Sequence, residues 1–136
     1  MTLLYYLKAV IRYWKKTLYL LRNLDSDEWS EITVDALLDR INSDQPPVLI
    51  DVRSASEFNS AEGYIPNAIP ISIFELASKL EDLQEFKEKE IVTICKGGGL
   101  SLVAVDVMVE AGFKDVKSLH GGMDLWYQRG YPTTTS

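Results

Sequence analysis

The feature that most restricts the fold is the run Ile91-Val92-Thr93-Ile94-Cys95-Lys96-Gly97-Gly98-Gly99, followed by an apolar segment from Leu100 to Ala111. Four apolar or β-branched residues in a row suit a strand buried on both faces, as in a parallel sheet covered by helices. The three glycines allow a tight passage from strand into helix, and Gly112 ends that helix. The same alternation recurs along the chain, which predicts a layered α/β domain. Glu31 to Val34 reads as a short first strand and Val34 to Ile41 as a helix, stopped by Asp44-Gln45-Pro46-Pro47. Val48 to Val52 is a buried strand, Ser56 to Ala61 a helical turn, and Ala68 to Ile71 a third strand, with one or two helices following through Lys87. Val116 to Leu119 is a fifth strand and Gly122 to Arg129 a closing helix, after which Thr133 to Ser136 are expected to fray. At 136 residues there is room for one such domain.

Residues 1–24 stand apart from the domain of residues 25–136. They hold Lys8, Arg12, Lys15, Lys16 and Arg22 and no acid, whereas the remainder has nine basic and twenty acidic residues, a net charge of −11. An acidic body disfavours nucleic acid through phosphate repulsion. Leu4, Leu7, Ile11, Trp14, Leu18 and Leu21 alternate spacings of three and four, so they form one stripe of a helix with the basic residues gathered on its flank. The charges interrupt the segment too often for a bilayer span. Their scatter is also unlike the charged start and apolar block of a secretory signal. Asp25-Ser26-Asp27-Glu28 marks the boundary. Three roles are open to this amphipathic helix: packing on a partner helix, first as a homodimer; lying on an anionic membrane surface; or packing on its own domain. A single cysteine cannot form an internal disulfide, so the expected setting is cytoplasmic, with attachment to the inner membrane face as the variant.

Cys95 is that cysteine, and it lies beyond the carboxyl end of a buried strand, where open α/β sheets bind their ligands. Backbone N–H groups of Gly97, Gly98 and Gly99, the positive end of the next helix and the Lys96 ammonium would favour a thiolate or cradle an anion. On these residues alone an inert buried cysteine beside a glycine turn stays open, as does a phosphate loop. The loop lacks the Gly-Lys-Ser/Thr ending of a nucleotide P-loop and the glycine pattern of a dinucleotide fingerprint.

Several ordered segments resemble the rhodanese-like family. Asp51-Val52-Arg53 with Glu57-Phe58 is similar to its DVR…E(F/Y) signature. Gly63-Tyr64-Ile65-Pro66-Asn67-Ala68-Ile69 is similar to its G-H-I-P-G-A stretch, with Tyr64 for His and Asn67 for Gly. Ala111-Gly112-Phe113, Val116, Leu119, Gly121-Gly122-Met123, Trp126 and Gly130-Tyr131-Pro132 follow the family's ending. The resemblance covers about residues 30–132. It implies a five-stranded parallel sheet flanked by helices, to which the N-terminal amphipathic helix is an addition. It also implies sulfurtransferase chemistry without a cofactor or metal. A small donor such as thiosulfate, or a protein persulfide, would load sulfur onto Cys95, and a thiophilic acceptor would remove it. Lys96, Gly97, Gly98, Gly99, Leu100 and Ser101 map onto the loop that surrounds the sulfur.

Two departures qualify that expectation. Many catalytic members carry Arg or Thr where this chain has Leu100, so no side chain there can hold a sulfonate, and thiosulfate turnover is expected to be weak. Losing one charge-assisted contact forfeits about 1.5–3 kcal/mol, or one to two decades in rate. The phosphatases of this fold need an arginine where Ser101 stands. Arg53, a candidate substrate contact, is expected mainly to pair with Glu57 or Glu62 and fix the next loop. Ser101 is expected to cap its helix, with an approach to the Cys95 sulfur as the sharper alternative. Trp126 and Tyr131 read as core and lid, and His120 as an ordinary loop histidine. One Cys and one His are too few for a structural zinc cluster. The competing class is a non-catalytic rhodanese-like module tethered through its first helix.

Overall fold

Five parallel strands form one sheet in the order β1-β5-β4-β2-β3, with β1 at Glu31–Ile32, β2 at Val48–Asp51, β3 at Ile69–Pro70, β4 at Glu90–Ile94 and β5 at Asp115–Leu119. The helices are α1 (Thr2–Arg22), α2 (Val34–Ile41), α3 (Ala55–Phe58), α4 (Leu76–Lys79), α5 (Leu100–Glu110) and α6 (Gly122–Gln128), with a 3-10 turn at Leu80–Phe86. The computed structural model describes the backbone of residues 2–22 and 30–136, and the side chains of residues 2–14 and 30–136. The acidic connector at 25–28 and the side chains of the stripe positions Leu18 and Leu21 lie outside what is described.

Strand alternation divides the core into two layers. On β4, Ile91 and Cys95 face one side and Val92 and Ile94 the other. Ile91 joins Ile50, Val52, Leu76, Val103, Val107 and Met108 beneath α4 and α5. Val92 and Ile94 join Leu37, Leu49, Phe58, Met123 and Trp126 beneath α2 and α6. β4 is flanked by β5 and β2, so Cys95 emerges at the middle of the sheet's carboxyl edge.

Local rules account for the element ends. Thr33 caps α2 by accepting from Ala36 N, and Ser54 with Glu57 forms a capping box on α3. Asn67 stands where the family has glycine and takes φ +71°, a conformation that asparagine tolerates better than most residues.

The structure corrects two expectations. Thr133–Ser136 do not fray freely: Thr134 and Tyr64 exchange backbone hydrogen bonds of 2.9 and 3.0 Å, and Ser136 Oγ donates to Tyr64 Oη and Asn59 Oδ1. Ser101 is not a cap, because α5 begins at Leu100 and its N-cap is Gly99. Of the three roles open to the first helix, packing on its own domain is the one the structure displays. Tyr6, Ala9 and Tyr13 of α1 face α4 and α5, with Ala9 buried and Tyr6 Oη accepting from Ala77 N at 3.1 Å. Arg12 and Lys8 pair with Glu110 of α5. This explains why Val103, Ala104, Val105, Val107 and Met108 of α5 are all buried: the sheet covers one side of the helix and α1 the other.

Removing residues 133–136 is expected to lower stability by about 1–3 kcal/mol, since Tyr64 loses both partners of its backbone groups. A urea midpoint unchanged by the truncation would show that water replaces them without cost.

Candidate active site

Cys95 directly follows β4 and is 3% exposed, at the floor of a pocket of about 380 Å³. Its Sγ accepts a hydrogen bond from Gly98 N at 3.0 Å and lies 3.2 Å from Ser101 Oγ. Of the three loop glycines, Gly98 alone has a positive φ, +96°, and that backbone turn is what aims its N–H at the sulfur. Ser101 is fully buried, and its hydroxyl lies 2.6 Å from Ser118 Oγ on β5. Thr93, which pairs with Ser118 across the sheet, donates from Oγ1 to the Ser101 carbonyl at 2.8 Å. A polar chain of Ser118, Ser101 and Cys95 thus runs behind the sulfur, steadied by Thr93.

The loop is held from the adjoining turn. Met123 N and Asp124 N donate to the carbonyls of Cys95 and Lys96, each at 2.9 Å. Gly122 permits this approach: a Cβ there would lie 2.5 Å from both carbonyl oxygens, and its φ is +59°.

The cations predicted for the site are already paired. Lys96 lines the pocket, but its ammonium lies 3.1 Å from Asp124 and is largely exposed. Arg53 is buried, and its partner is Asp51, not Glu57 or Glu62: the guanidinium meets both carboxylate oxygens at 2.9–3.1 Å. It also donates to Tyr127 Oη and to the Gly63 carbonyl. Burial works against its charged form, yet the Asp51 hydrogen bonds and charge outweigh burial and hold its pKa above the usual arginine value. Arg53 therefore braces the wall between β2 and α6 while bordering the cavity. Glu57 is occupied in the α3 capping box.

The remaining lining is mostly apolar. Val52, Ala55, Pro70 and Ile73 form the walls, while Phe74 and Leu100 stand at the mouth, 83% and 52% exposed. Sequence reasoning missed Phe74, Thr93 and Ser118. The sequence signal for the last two was a hydroxyl near the carboxyl end of each of two neighbouring strands. His120 lies 3.0 Å from Glu31, and neither residue borders the cavity. Among the described residues no group of three or more His, Cys, Asp or Glu side chains could hold a metal ion.

Comparison with known proteins places this buried cysteine and its loop in a family. The family model described as rhodanese-like domain matches residues 33–129. The chain belongs to the rhodanese-like family. It is 40% identical over 99 residues to the putative sulfurtransferase YtwF of Bacillus subtilis, covering 73% of this chain and 91% of that one. It is 34% identical over 92 residues to the thiosulfate sulfurtransferase GlpE of Pseudomonas savastanoi, covering 68% and 82%. A rhodanese-related protein from Thermoplasma volcanium superposes with a TM-score of 0.70 at 29% identity, covering 79% of this chain and all of that one.

Replacing Gly122 with alanine should push the Cys95 and Lys96 carbonyls away and misplace the sulfur. The expected result is an altered Cys95 alkylation rate together with a loss of stability, read by mass spectrometry of the labelled protein and thermal melting. Asp51→Ala, which leaves Arg53 buried and unpaired, is expected to cost about 3–5 kcal/mol. A change under 1 kcal/mol in the denaturant midpoint would mean that Arg53 turns out to solvent instead.

Proposed function

We propose that this protein is a sulfurtransferase that carries sulfane sulfur as a Cys95 persulfide. The observation that carries the reading is the seating of Sγ at the pocket floor, with the Gly98 N–H aimed at it and the Ser101 hydroxyl beside it. Relatives named as sulfurtransferases support the reaction class. In the loading step the Cys95 thiolate attacks the sulfane sulfur of the donor. The donor's S–S bond breaks, a new S–S bond forms at Cys95, and sulfite leaves with the electron pair when the donor is thiosulfate. In the unloading step a thiolate or cyanide attacks the outer sulfur, and the electron pair of the broken bond returns to Cys95. The Gly98 N–H and Ser101 hydroxyl can follow the negative charge, which stays on sulfur throughout.

Thiosulfate is a poor match for the pocket. Lys96 and Arg53 are engaged by Asp124 and Asp51, Leu100 offers no donor, and Glu57 and Glu75 border the cavity. The apolar mouth of Phe74 and Leu100 suits instead a donor or acceptor thiol carried on a larger molecule, such as a protein persulfide.

Intact-mass spectrometry after incubation with thiosulfate or a protein persulfide tests the chemistry. The expected product is one added sulfur atom, discharged by cyanide and absent in Cys95→Ser. No adduct from either donor would leave a binding module as the reading. Leu100→Arg is expected to raise thiosulfate turnover by about one to two decades, by supplying the charge-assisted contact that is missing. An unchanged kcat/KM would mean that the donor does not pass position 100.

A further inference from the structure

The first helix is apolar on two sides. One side, Tyr6, Ala9 and Tyr13, is spent on the domain. The other, Leu3, Leu4, Leu7, Val10, Ile11 and Trp14, faces outward, with every one of these side chains between 40% and 78% exposed. At 100° per residue these six positions fall within a continuous arc of about 120°, roughly opposite Ala9. Among the described residues nothing covers that arc. An outward apolar face of this length on an otherwise acidic protein marks an interaction site. α1 also lies outside residues 33–129, the part shared with the family, so the family domain does not account for it.

Charge decides between the candidate occupants. By helical periodicity the five basic positions of residues 1–24 fall to one side of the apolar stripe, with no acid among them, while the rest of the chain carries −11. Lys8 and Arg12 border the arc and pair with Glu110. A second copy of α1 would present the same basic flank with no acid to meet it. A surface that is apolar within and negative outside complements both features. No described helix is long and apolar enough to cross a membrane, so the geometry suits a helix lying in the interface.

We propose that α1 seats the protein on an anionic lipid bilayer, with Leu3, Leu7, Val10, Ile11 and Trp14 entering the headgroup boundary and the basic flank meeting lipid phosphates. The acidic body is repelled by the same surface and is held outward. Tyr13 Oη lies beside Gly99 of the Cys95 loop, 3.5 Å from where a Cβ would stand, so the docked helix adjoins the loop of the candidate active site.

Flotation of the full chain with vesicles tests this, using phosphatidylglycerol mixed with phosphatidylcholine in one arm and phosphatidylcholine alone in the other. The expected result is recovery with the anionic vesicles at low salt, at least tenfold less with neutral vesicles, and release as salt is raised. Leu7→Glu with Ile11→Glu changes only exposed positions, so the variant should keep its fold and its Cys95 labelling while losing vesicle binding. No flotation with anionic vesicles at low salt overturns the proposal, as does equal recovery with neutral ones. A dimer in light scattering that the double variant dissolves, without vesicle binding, overturns it in favour of a second copy.

Discussion

The position of the Cys95 sulfur depends on a close approach between two backbones. The Cys95 loop is suspended from the first residues of α6 through the Met123 and Asp124 amides, and Gly122 is the residue that lets them come near. The loop and α6 are therefore one mechanical unit. Tyr127 of α6 in turn meets Arg53 at the end of β2, and both reach the Gly63 carbonyl. Strand β4, the closing helix and the second strand are thus linked around the cavity before any substrate arrives. Preorganisation of this kind lets weak neutral donors matter, because they need not be reoriented as charge develops on sulfur.

Much of the fold was legible because parallel strands and their helices leave strong local signals. The apolar runs at Val48 and Ile91, the Asp-Gln-Pro-Pro break and the glycines after α5 and α6 each fall at an element end within a residue or two. The tail was misread because four polar residues look unanchored until Tyr64 is brought beside them, and that bridge spans seventy residues of chain. The helix α5 held a clue that was not used. Its segment is apolar all round, and such a helix must be covered on more than one side. The sheet can supply only one cover, so the chain needed another layer, and α1 is that layer.

At the site, residue identity was legible but pairing was not. Cys95, the glycine loop and the absence of a cation at Leu100 could be read directly. Lys96 looked like the natural counter-charge, yet its partner Asp124 is 28 positions away and reachable only once α6 folds back. Arg53 looked bound for the acids of the next loop, whereas Asp51, two residues earlier, takes it in a bidentate pair inside the wall. Ser101 shows the converse: it lies two positions past the Gly99 cap, where it meets the sulfur instead of capping the helix.

These pairings bear on what the site can hold. With both basic residues neutralised locally, the donors in contact with sulfur are an amide and a hydroxyl, and acids border the cavity. An amide N–H and a hydroxyl can balance a charge delocalised over one sulfur and its neighbour. They offer little to the spread charge of a sulfonate, which calls for a fork of charged donors. On the proposed chemistry, the same electrostatics would leave small dianions unsupported while holding a persulfide monoanion. Such a site would keep sulfur on Cys95 more readily than it captures thiosulfate from solution, and its apolar mouth would give a larger carrier of sulfur something to rest against.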